Sequence, residues 1–116
     1  MTPENVRKSK EIFNEQQLNF VAACILGDGC LAKTGRLVIA HGLQQSDYID
    51  WKAQKLSDLL NQDIKALPTR NCKQIQFQRK FLKHIRYKWY PNNNKNLPAI
   101  LESITNPIEA LVALLS

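Results

Sequence analysis

The sequence lacks the features of a disulfide-stabilised, zinc-binding or membrane-embedded protein. Its three cysteines, Cys24, Cys30 and Cys72, are odd in number and have no C-x-x-C spacing. No apolar run reaches the roughly 20 residues needed to cross a bilayer, and the N-terminal residues lack the apolar segment of a signal peptide. We therefore expect one domain, residues 1–116, in a reducing intracellular compartment (prokaryotic cytoplasm or an organelle matrix), with no membrane partner.

Acidic residues are missing from one long stretch of the chain. Residues 64–101 contain nine lysines and arginines and no aspartate or glutamate, although the whole chain carries ten acids and a net charge of +6. Such one-sided charge is typical of proteins that bind polyanions. The alternative is a basic surface that only keeps the protein soluble, but such a surface usually contains interspersed acids. We therefore expect the partner to be a nucleic acid.

The first half of the chain has the signals of a helix, a hairpin and a second helix. Asn14 and Gln17 are spaced as a capping box, and the helix that follows them should run to about Gly27. A turn in which Gly35 adopts a positive φ should join two strands. These predicted strands are residues 30–33 and 36–43. Ser46 should cap the second helix.

The second half has the signals of another hairpin and a third helix. The predicted elements are strands at residues 64–69 and 73–78 and helices at residues 80–89, 98–103 and 107–115, with a further helix start at Thr2. In the last strand three glutamines alternate with Ile75 and Phe77, so the glutamines should share one face of the sheet. The order αββαββα predicts an α+β fold with a four-stranded antiparallel, saddle-shaped sheet and helices on one of its faces.

One carboxylate lies where an apolar helix ends. Residues 20–31 read FVAACILGDGCL, so Asp28 stands between two glycines. Unpaired carboxylates avoid apolar surroundings unless a cation or hydrogen bonds compensate them. In the same helix, Ala23 and Gly27 are four residues apart and share a face that a second helix could approach closely. Small residues at this spacing more often serve packing within one chain, and Asp28 is then only a surface turn residue.

Residues 21–29 resemble the nine-residue motif of the LAGLIDADG homing endonucleases, with Asp28 at the acidic position that the family uses for catalysis. Three later blocks resemble, in the family's order, the branch that has a Trp-Tyr-Pro…Lys-x-Ile-Pro stretch. These blocks are Gln45-x-x-Tyr48-Ile49-x-Trp51-Lys52, Lys88-Trp89-Tyr90-Pro91 and Lys95-x-Leu97-Pro98. The nine-residue motif alone would be a weak signal, whereas four blocks in order are a strong one.

The resemblance implies a site-specific endonuclease that makes staggered double-strand breaks in DNA by divalent-metal-assisted phosphodiester hydrolysis. In the family two motif helices meet at a twofold axis and bring their aspartates together. This implies that Ala23 and Gly27 lie at the interface of a homodimer or of two half-domains. Asp28 and the backbone carbonyl of Gly29 would then hold Mg²⁺, because magnesium prefers oxygen ligands and keeps several waters.

The resemblance also implies a catalytic lysine. Lys95 occupies the position at which this branch places a lysine near the active-site water, and a cation there would stabilise the charge of the transition state. Lys80 is the alternative, because another branch of the family has its lysine after the fourth strand. An isolated lysine in a loop is usually only a solvated side chain, and that interpretation stays open for Lys95.

The DNA-binding surface should be the polar face of the sheet and the basic residues beside it. A two-stranded ribbon fits the major groove, where glutamine can hydrogen-bond base edges. The expected contacts are Arg70, Lys73, Gln74, Gln76, Gln78 and Arg79. Lys83, Arg86 and Lys88 should contact phosphates, which position a protein without specifying sequence. His41 and His84 have no partner at metal-ligand spacing, and we interpret His41 as a strand residue at the edge of the groove.

The end of the sequence leaves the assembly open. Single-chain members of the family carry a second motif that ends in Asp-Asp-Gly, and residues 107–116 resemble only the start of such a motif. One catalytic carboxylate per chain fits a half-enzyme that pairs with itself or with another chain, or the first half of a longer enzyme. The alternative function is a non-catalytic nucleic-acid binder, either an intron maturase or a transcription regulator on the same scaffold. The presence of both Asp28 and Lys95 favours the nuclease, which the resemblance implies to be intron-encoded.

Overall fold

Helix α1 (Glu15–Leu26) is the most deeply buried helix of the computed structural model, which describes residues 13–108. The predicted capping box closes its first turn. The Asn14 side chain accepts the backbone N–H of Gln17 and the Gln17 side chain accepts that of Asn14, each at 2.8 Å. Residues 19–25 are all buried, so α1 packs on every side over two turns. The helix ends close to the predicted end at about Gly27, with Gly27 itself as the C-cap, and Gly29 already belongs to the next strand.

Four antiparallel strands form one sheet, as predicted. They are β1 (Gly29–Leu31), β2 (Arg36–Gly42), β3 (Ala66–Pro68) and β4 (Cys72–Gln78), in the spatial order β1-β2-β4-β3. The two seven-residue strands pair in the middle, and the two three-residue strands form the edges. Short edge strands offer little unpaired backbone for unwanted association. The alternation in β4 is as predicted, because Ile75 and Phe77 are buried whereas Gln76 and Gln78 are exposed.

Two of the remaining helices pack against the apolar side of this sheet, and the last one packs against α1 and the helix before it. The three are α2 (Ser46–Leu60), α3 (Lys80–Trp89) and α4 (Leu97–Glu102), and a 3₁₀ turn, Leu43–Gln45, precedes α2. The buried residues of α2 include Ile49, Ala53, Leu56 and Leu60, which recur at helical spacing. Together with Leu37 and Ile39 of β2 they belong to one core cluster. The helices predicted from Thr2 and at residues 107–115 extend outside the described residues.

The predicted cap of α2 is wrong. Ser46 is the first helical residue, and Gln45 occupies the cap position without a side-chain hydrogen bond to the helix. The Ser46 hydroxyl oxygen instead accepts a hydrogen bond from Lys73 Nζ on β4, at 3.1 Å. The serine therefore joins the helix to the sheet rather than closing the first turn of the helix.

Two aromatic residues of the Trp-Tyr-Pro block lie in the core. Trp89 is fully buried and its indole N–H donates to the Ser103 hydroxyl at 2.9 Å. The Tyr90 hydroxyl oxygen accepts the backbone N–H of Leu31 at 3.1 Å. Trp51 differs, because it is 38% exposed and its ring stacks on that of Tyr48.

None of the helices found within residues 13–108 combines the length and the apolarity needed to cross a membrane.

The turn between β1 and β2 depends on Gly35, which has a φ of +85°. A positive φ was predicted here from the hairpin pattern, and the packing adds a second reason for glycine. A Cβ atom at this position would lie 2.6 Å from the backbone oxygen of Arg79 and 2.8 Å from the backbone nitrogen of Lys83. The hairpin turn is therefore pressed against the first turn of α3.

Candidate active site and nucleic-acid interface

Asp28 lies in the short connection between α1 and β1. Its side chain is 60% exposed, so the carboxylate can be reached from solvent. The next residue, Gly29, is buried against the last turn of α1, where an added Cβ atom would lie 2.7 Å from the backbone oxygen of Cys24. Only glycine fits so close an approach of strand to helix. The backbone on the C-terminal side of Asp28 is therefore fixed by packing.

Lys95 reaches the same end of α1 from a distant part of the chain. Its Nζ donates to the backbone oxygen of Ile25 at 2.6 Å and to that of Gly29 at 2.9 Å. A helix C-terminus has carbonyl groups without helical partners and carries partial negative charge, which an ammonium stabilises. The structure thus brings the two residues singled out in the sequence, Asp28 and Lys95, to one helix end.

The loop that carries Lys95 is itself held in place. The Asn96 N–H donates to the Trp89 carbonyl at 2.8 Å, and the Asn96 side chain caps α4 by accepting the N–H of Ala99 at 2.9 Å. Arg86 Nη1 donates to Asn93 Oδ1 at 3.1 Å on the other side of the loop. These bonds hold the backbone around Lys95, so the lysine needs only its own side chain to reach α1.

A line of two further polar residues, His41 and Lys52, leads to Asp28, and the sequence analysis did not include either of them in the site. His41 is buried on β2, and its Nδ1 atom lies 3.4 Å from Asp28 Oδ2 and 2.9 Å from Gln45 Oε1. Lys52 of α2 is only 2% exposed, and its Nζ lies 3.4 Å from His41 Nε2 and 4.4 Å from the centre of the Tyr48 ring. The structure therefore contains a continuous line of polar contacts from the core to the exposed carboxylate.

The strand and helix periodicities of the sequence could have predicted that His41 and Lys52 lie on buried faces. His41 alternates with Leu37 and Ile39 along β2, and Lys52 lies three residues after Ile49 on the buried side of α2. Lys52 also influences the core around it. Burial raises the pKa of the Cys24 thiol to about 12, and the positive charge of Lys52 opposes part of that rise.

The donor atoms around Asp28 limit what could bind a metal ion. Among residues 13–108 no three His, Cys, Asp or Glu side chains form a group able to hold a metal on their own. An exposed carboxylate fits magnesium, which commonly takes one or two carboxylates together with water and substrate phosphate. The Gly29 carbonyl fits less well, because its oxygen already accepts a hydrogen bond from the Lys95 ammonium. Of the described atoms at this helix end, the carboxylate of Asp28 is therefore the suitable protein ligand.

The face of the sheet opposite the helices carries the three glutamines, as predicted. In the β2–β4 pairing Arg36, Val38 and Ala40 lie opposite Gln78, Gln76 and Gln74. Gln76 Nε2 donates to Gln74 Oε1 at 2.8 Å, and Gln78 Nε2 donates to the Thr34 carbonyl at 2.9 Å. Of the described strand residues on this outer face, which also include Cys30 and Leu67, none is acidic. Arg36 is a basic member of the face that sequence analysis missed.

Three of the expected DNA-contacting cations have partners inside the protein. Lys73 has the strand parity of Ile75, so it lies on the helix side of the sheet, where its Nζ is 2.7 Å from Asp50 Oδ1. Arg79 Nη1 donates to the Leu60 carbonyl and to Gln62 Oε1, at 3.2 and 3.0 Å, and burial lowers the Arg79 pKa. Arg86 Nε donates to the Leu31 carbonyl at 3.1 Å. These side chains connect elements of the fold.

Other expected cations are exposed. Arg70 lies between β3 and β4, and Lys88 lies in the last turn of α3. Lys80 and Lys83, at the start of α3, line an open cavity of about 610 Å³ together with Lys33, Thr34 and Gln78. The structure therefore places Lys80 beside the β1–β2 turn.

The two small residues of α1 differ in exposure. Ala23 is fully buried within the single chain, so its side chain already packs against other residues of the same copy. Gly27 is exposed at the end of the helix, directly before Asp28.

Comparison with known proteins adds one family and one relative. The model of the LAGLIDADG DNA endonuclease family matches residues 18–111. Protein RecA of Mycobacterium gastri is 38% identical over 55 residues, which is 41% of this chain and 13% of that protein. The chain therefore corresponds to a small part of that relative, and the activity of the whole relative does not carry over. No solved structure matches.

Removing the Lys95 ammonium should destabilise the folded protein. In Lys95→Met the carbonyl oxygens of Ile25 and Gly29 lose their donor, and we expect a loss of about 1–3 kcal/mol in the free energy of unfolding, measured with urea. Lys88→Met is the matched control, because Lys88 is an exposed lysine of the same length. Equal stability of the two variants would show that the Lys95 contacts contribute nothing.

Proposed function

The chain belongs to the LAGLIDADG DNA endonuclease family, and from that membership we propose that it is one half of a site-specific DNA endonuclease. The half becomes a complete enzyme when its α1 helix pairs with that of a second copy or of another half-domain. The observation that carries the proposal is the exposed carboxylate of Asp28 at a helix end that also holds the Lys95 ammonium. The packing of Gly29 on α1 and the Lys95 hydrogen bonds hold the backbone on both sides of Asp28, which supports a role for this carboxylate beyond that of a surface turn residue.

We assign DNA binding to the outer face of the sheet. Its central strands present Gln74 and Gln76, whose amides can donate to and accept from base edges in the major groove. Arg36, on the same face, can reach guanine or phosphate. Lysines line the cavity at the start of α3, among them Lys80 and Lys83. They would contact phosphates of the DNA where the duplex extends beyond the edge of the sheet.

The reaction we propose is hydrolysis of one phosphodiester bond by each half. Asp28 would hold a magnesium ion, which when bound neutralises charge on the phosphate and promotes ionisation of a water. The role of Lys95 is to keep the backbone on both sides of Asp28 in place and to add positive charge near the phosphate. Two halves acting on opposite strands would produce the staggered double-strand break.

Pairing is proposed at the C-terminal end of α1. Gly27 is exposed there and has no side chain, so another helix can approach its backbone closely. Asp28 directly follows, and a twofold axis through this point would bring two carboxylates to one stretch of DNA. Ala23, one turn earlier, is buried within its own chain, and its packing there would keep the helix in place at the contact.

Loss of Arg36 should weaken DNA binding and lower its salt dependence. Arg36→Ala removes one potential phosphate contact from the outer face, so we expect affinity to fall by about fivefold to tenfold at 0.1 M salt and the log–log salt slope to decrease by about 1. Fluorescence anisotropy with a labelled duplex at several salt concentrations measures both. Lys55→Ala removes the same charge from an exposed position on α2. Equal losses in the two variants would mean that DNA does not bind the outer face.

Asp28→Asn should abolish cleavage and preserve binding. Wild type and variant are first used to select binding sites from a randomised duplex library, and both should enrich the same sequence. A supercoiled plasmid carrying that sequence should then be cut by the wild type in the presence of Mg²⁺ and left intact by the variant. Cutting by the variant at the wild-type rate would exclude Asp28 from catalysis. Binding by the wild type without any cutting would favour a maturase or transcription regulator.

Gly27→Leu should prevent pairing of the halves. A leucine at this exposed position would hold two α1 helices apart, so we expect sedimentation to show dimers for wild type and monomers or aggregates for the variant, together with loss of double-strand cleavage. Leu67→Ala, at an exposed position on the opposite edge strand, β3, serves as the control and should leave the dimer intact. A wild-type monomer that is unaffected by Gly27→Leu would contradict the proposed pairing.

A further inference from the structure

We infer that His41 and Lys52 are positioning residues for Asp28: Lys52 fixes which nitrogen of His41 carries the hydrogen, and His41 then directs the Asp28 carboxylate. The inference rests on the proposed function for the role of Asp28 itself. It starts from the line of contacts Lys52 Nζ–His41 Nε2 at 3.4 Å and His41 Nδ1–Asp28 Oδ2 at 3.4 Å. The three residues come from α2, β2 and the end of α1.

The direction of the first contact is fixed by chemistry. A lysine ammonium has three donors and no acceptor, so Lys52 can only donate to Nε2 of His41. The Nε2 atom must then carry a lone pair and no hydrogen. In a neutral imidazole the hydrogen consequently resides on Nδ1, and that tautomer makes Nδ1 a donor.

The second contact follows from that tautomer. Nδ1–H forms its hydrogen bond with Gln45 Oε1 at 2.9 Å, and Asp28 Oδ2 lies 3.4 Å from the same nitrogen as a longer polar contact. The partial positive charge of the N–H attracts Oδ2 and orients the carboxylate without removing its negative charge, because the ring in this tautomer is neutral. The other oxygen, Oδ1, stays available for a cation or a water. A ring with the opposite tautomer would present a lone pair to the carboxylate and would repel it.

Burial supports a positioning role for Lys52. The residue is 2% exposed, and among the described residues no carboxylate forms an ion pair with it. Its other contact is the face of the Tyr48 ring, 4.4 Å from Nζ. An unpaired cation in the core is costly compared with an apolar side chain, so its presence next to His41 indicates a use beyond packing.

Nitrogen NMR tests the tautomer directly in the whole chain. The sequence has two histidines, so His84→Gln identifies the His41 signals in a ¹⁵N-labelled sample. Multiple-bond ¹H–¹⁵N spectra at neutral pH should show His41 protonated at Nδ1 and unprotonated at Nε2. A His41 ring protonated at Nε2 in the wild type would overturn the inference, and this outcome does not depend on whether any variant folds.

Variants separate positioning from simple packing. Lys52→Met keeps the length of the side chain and removes the donor, so we expect His41 to lose its single tautomer while His84 is unchanged. Lys55→Met on the exposed side of the same helix is the control and should leave both histidines as in the wild type. A His41 spectrum unchanged by Lys52→Met would also overturn the inference.

Replacement of His41 tests the contact with Asp28. Asparagine places an N–H donor near the position of Nδ1, whereas phenylalanine fills the space without a donor. We expect the Asp28 carboxyl ¹³C shift to stay near its wild-type value in His41→Asn and to move in His41→Phe, and cleavage of the selected site to lose kcat rather than DNA affinity in His41→Phe alone. Equal shifts in both variants would contradict the role of His41. A wild type that does not cleave would refute the proposed function and leave the carbon and nitrogen shifts as the test of positioning.

Discussion

The two hydrogen bonds from the Lys95 ammonium to the last turn of α1 and to the first residue of β1 hold the candidate site together. They connect Lys95 to Ile25 and Gly29, which are separated from it by 70 and 66 residues of chain. Between the two carbonyls lies the connection that carries Asp28. A helix that ends in the core leaves carbonyl groups without partners, and the ammonium supplies one donor group for the helix end and for the strand that follows. The position of the carboxylate therefore depends on a loop between α3 and α4, far away in sequence.

The charged residues differ between the two faces of the sheet. On the helix side, Lys73 pairs with Asp50, and Arg79 and Arg86 donate to backbone carbonyls of other elements. On the outer side, Arg36 and the glutamines lie in cross-strand pairs on a face whose described strand residues include no acid. The excess of basic residues in the second half of the chain thus serves two purposes. Some of these basic side chains connect elements inside the fold, and the others are exposed on the surface.

Most of the fold was predictable because its signals are local. The capping box at Asn14, the positive φ at Gly35 and the alternation of Ile75 and Phe77 with glutamines each depend on residues that are close in sequence. The bounds of α3 were predicted for the same reason, because helical periodicity is broken on both sides. The cap of α2 was mispredicted since Ser46 has a competing partner, Lys73, that only the folded sheet brings near.

The site was predictable only in part. The family motif located Asp28 and Lys95, but counting charges along the chain could not tell which cations have partners inside the protein, because that depends on strand parity and on contacts between distant elements. The line from Lys52 through His41 was missed because α2, β2 and the end of α1 come together only in the folded chain. Long-range polar contacts of this kind leave little trace in a single sequence beyond a polar residue on an otherwise apolar face.

If DNA binds the outer face as proposed, the hydrogen bond between Gln76 and Gln74 makes sequence recognition there a property of a pair. Gln74 has its oxygen engaged and keeps its amide hydrogens, whereas Gln76 has one amide hydrogen engaged and keeps its oxygen. The two side chains therefore offer a donor and an acceptor in a fixed relation, two residues apart along one strand. A change at either position alters what the other can offer to a base. Redirecting such a protein to a new target would therefore require substituting both glutamines in the same step. In a library that varies one position at a time, each new side chain would be tested beside a glutamine that still suits the original target.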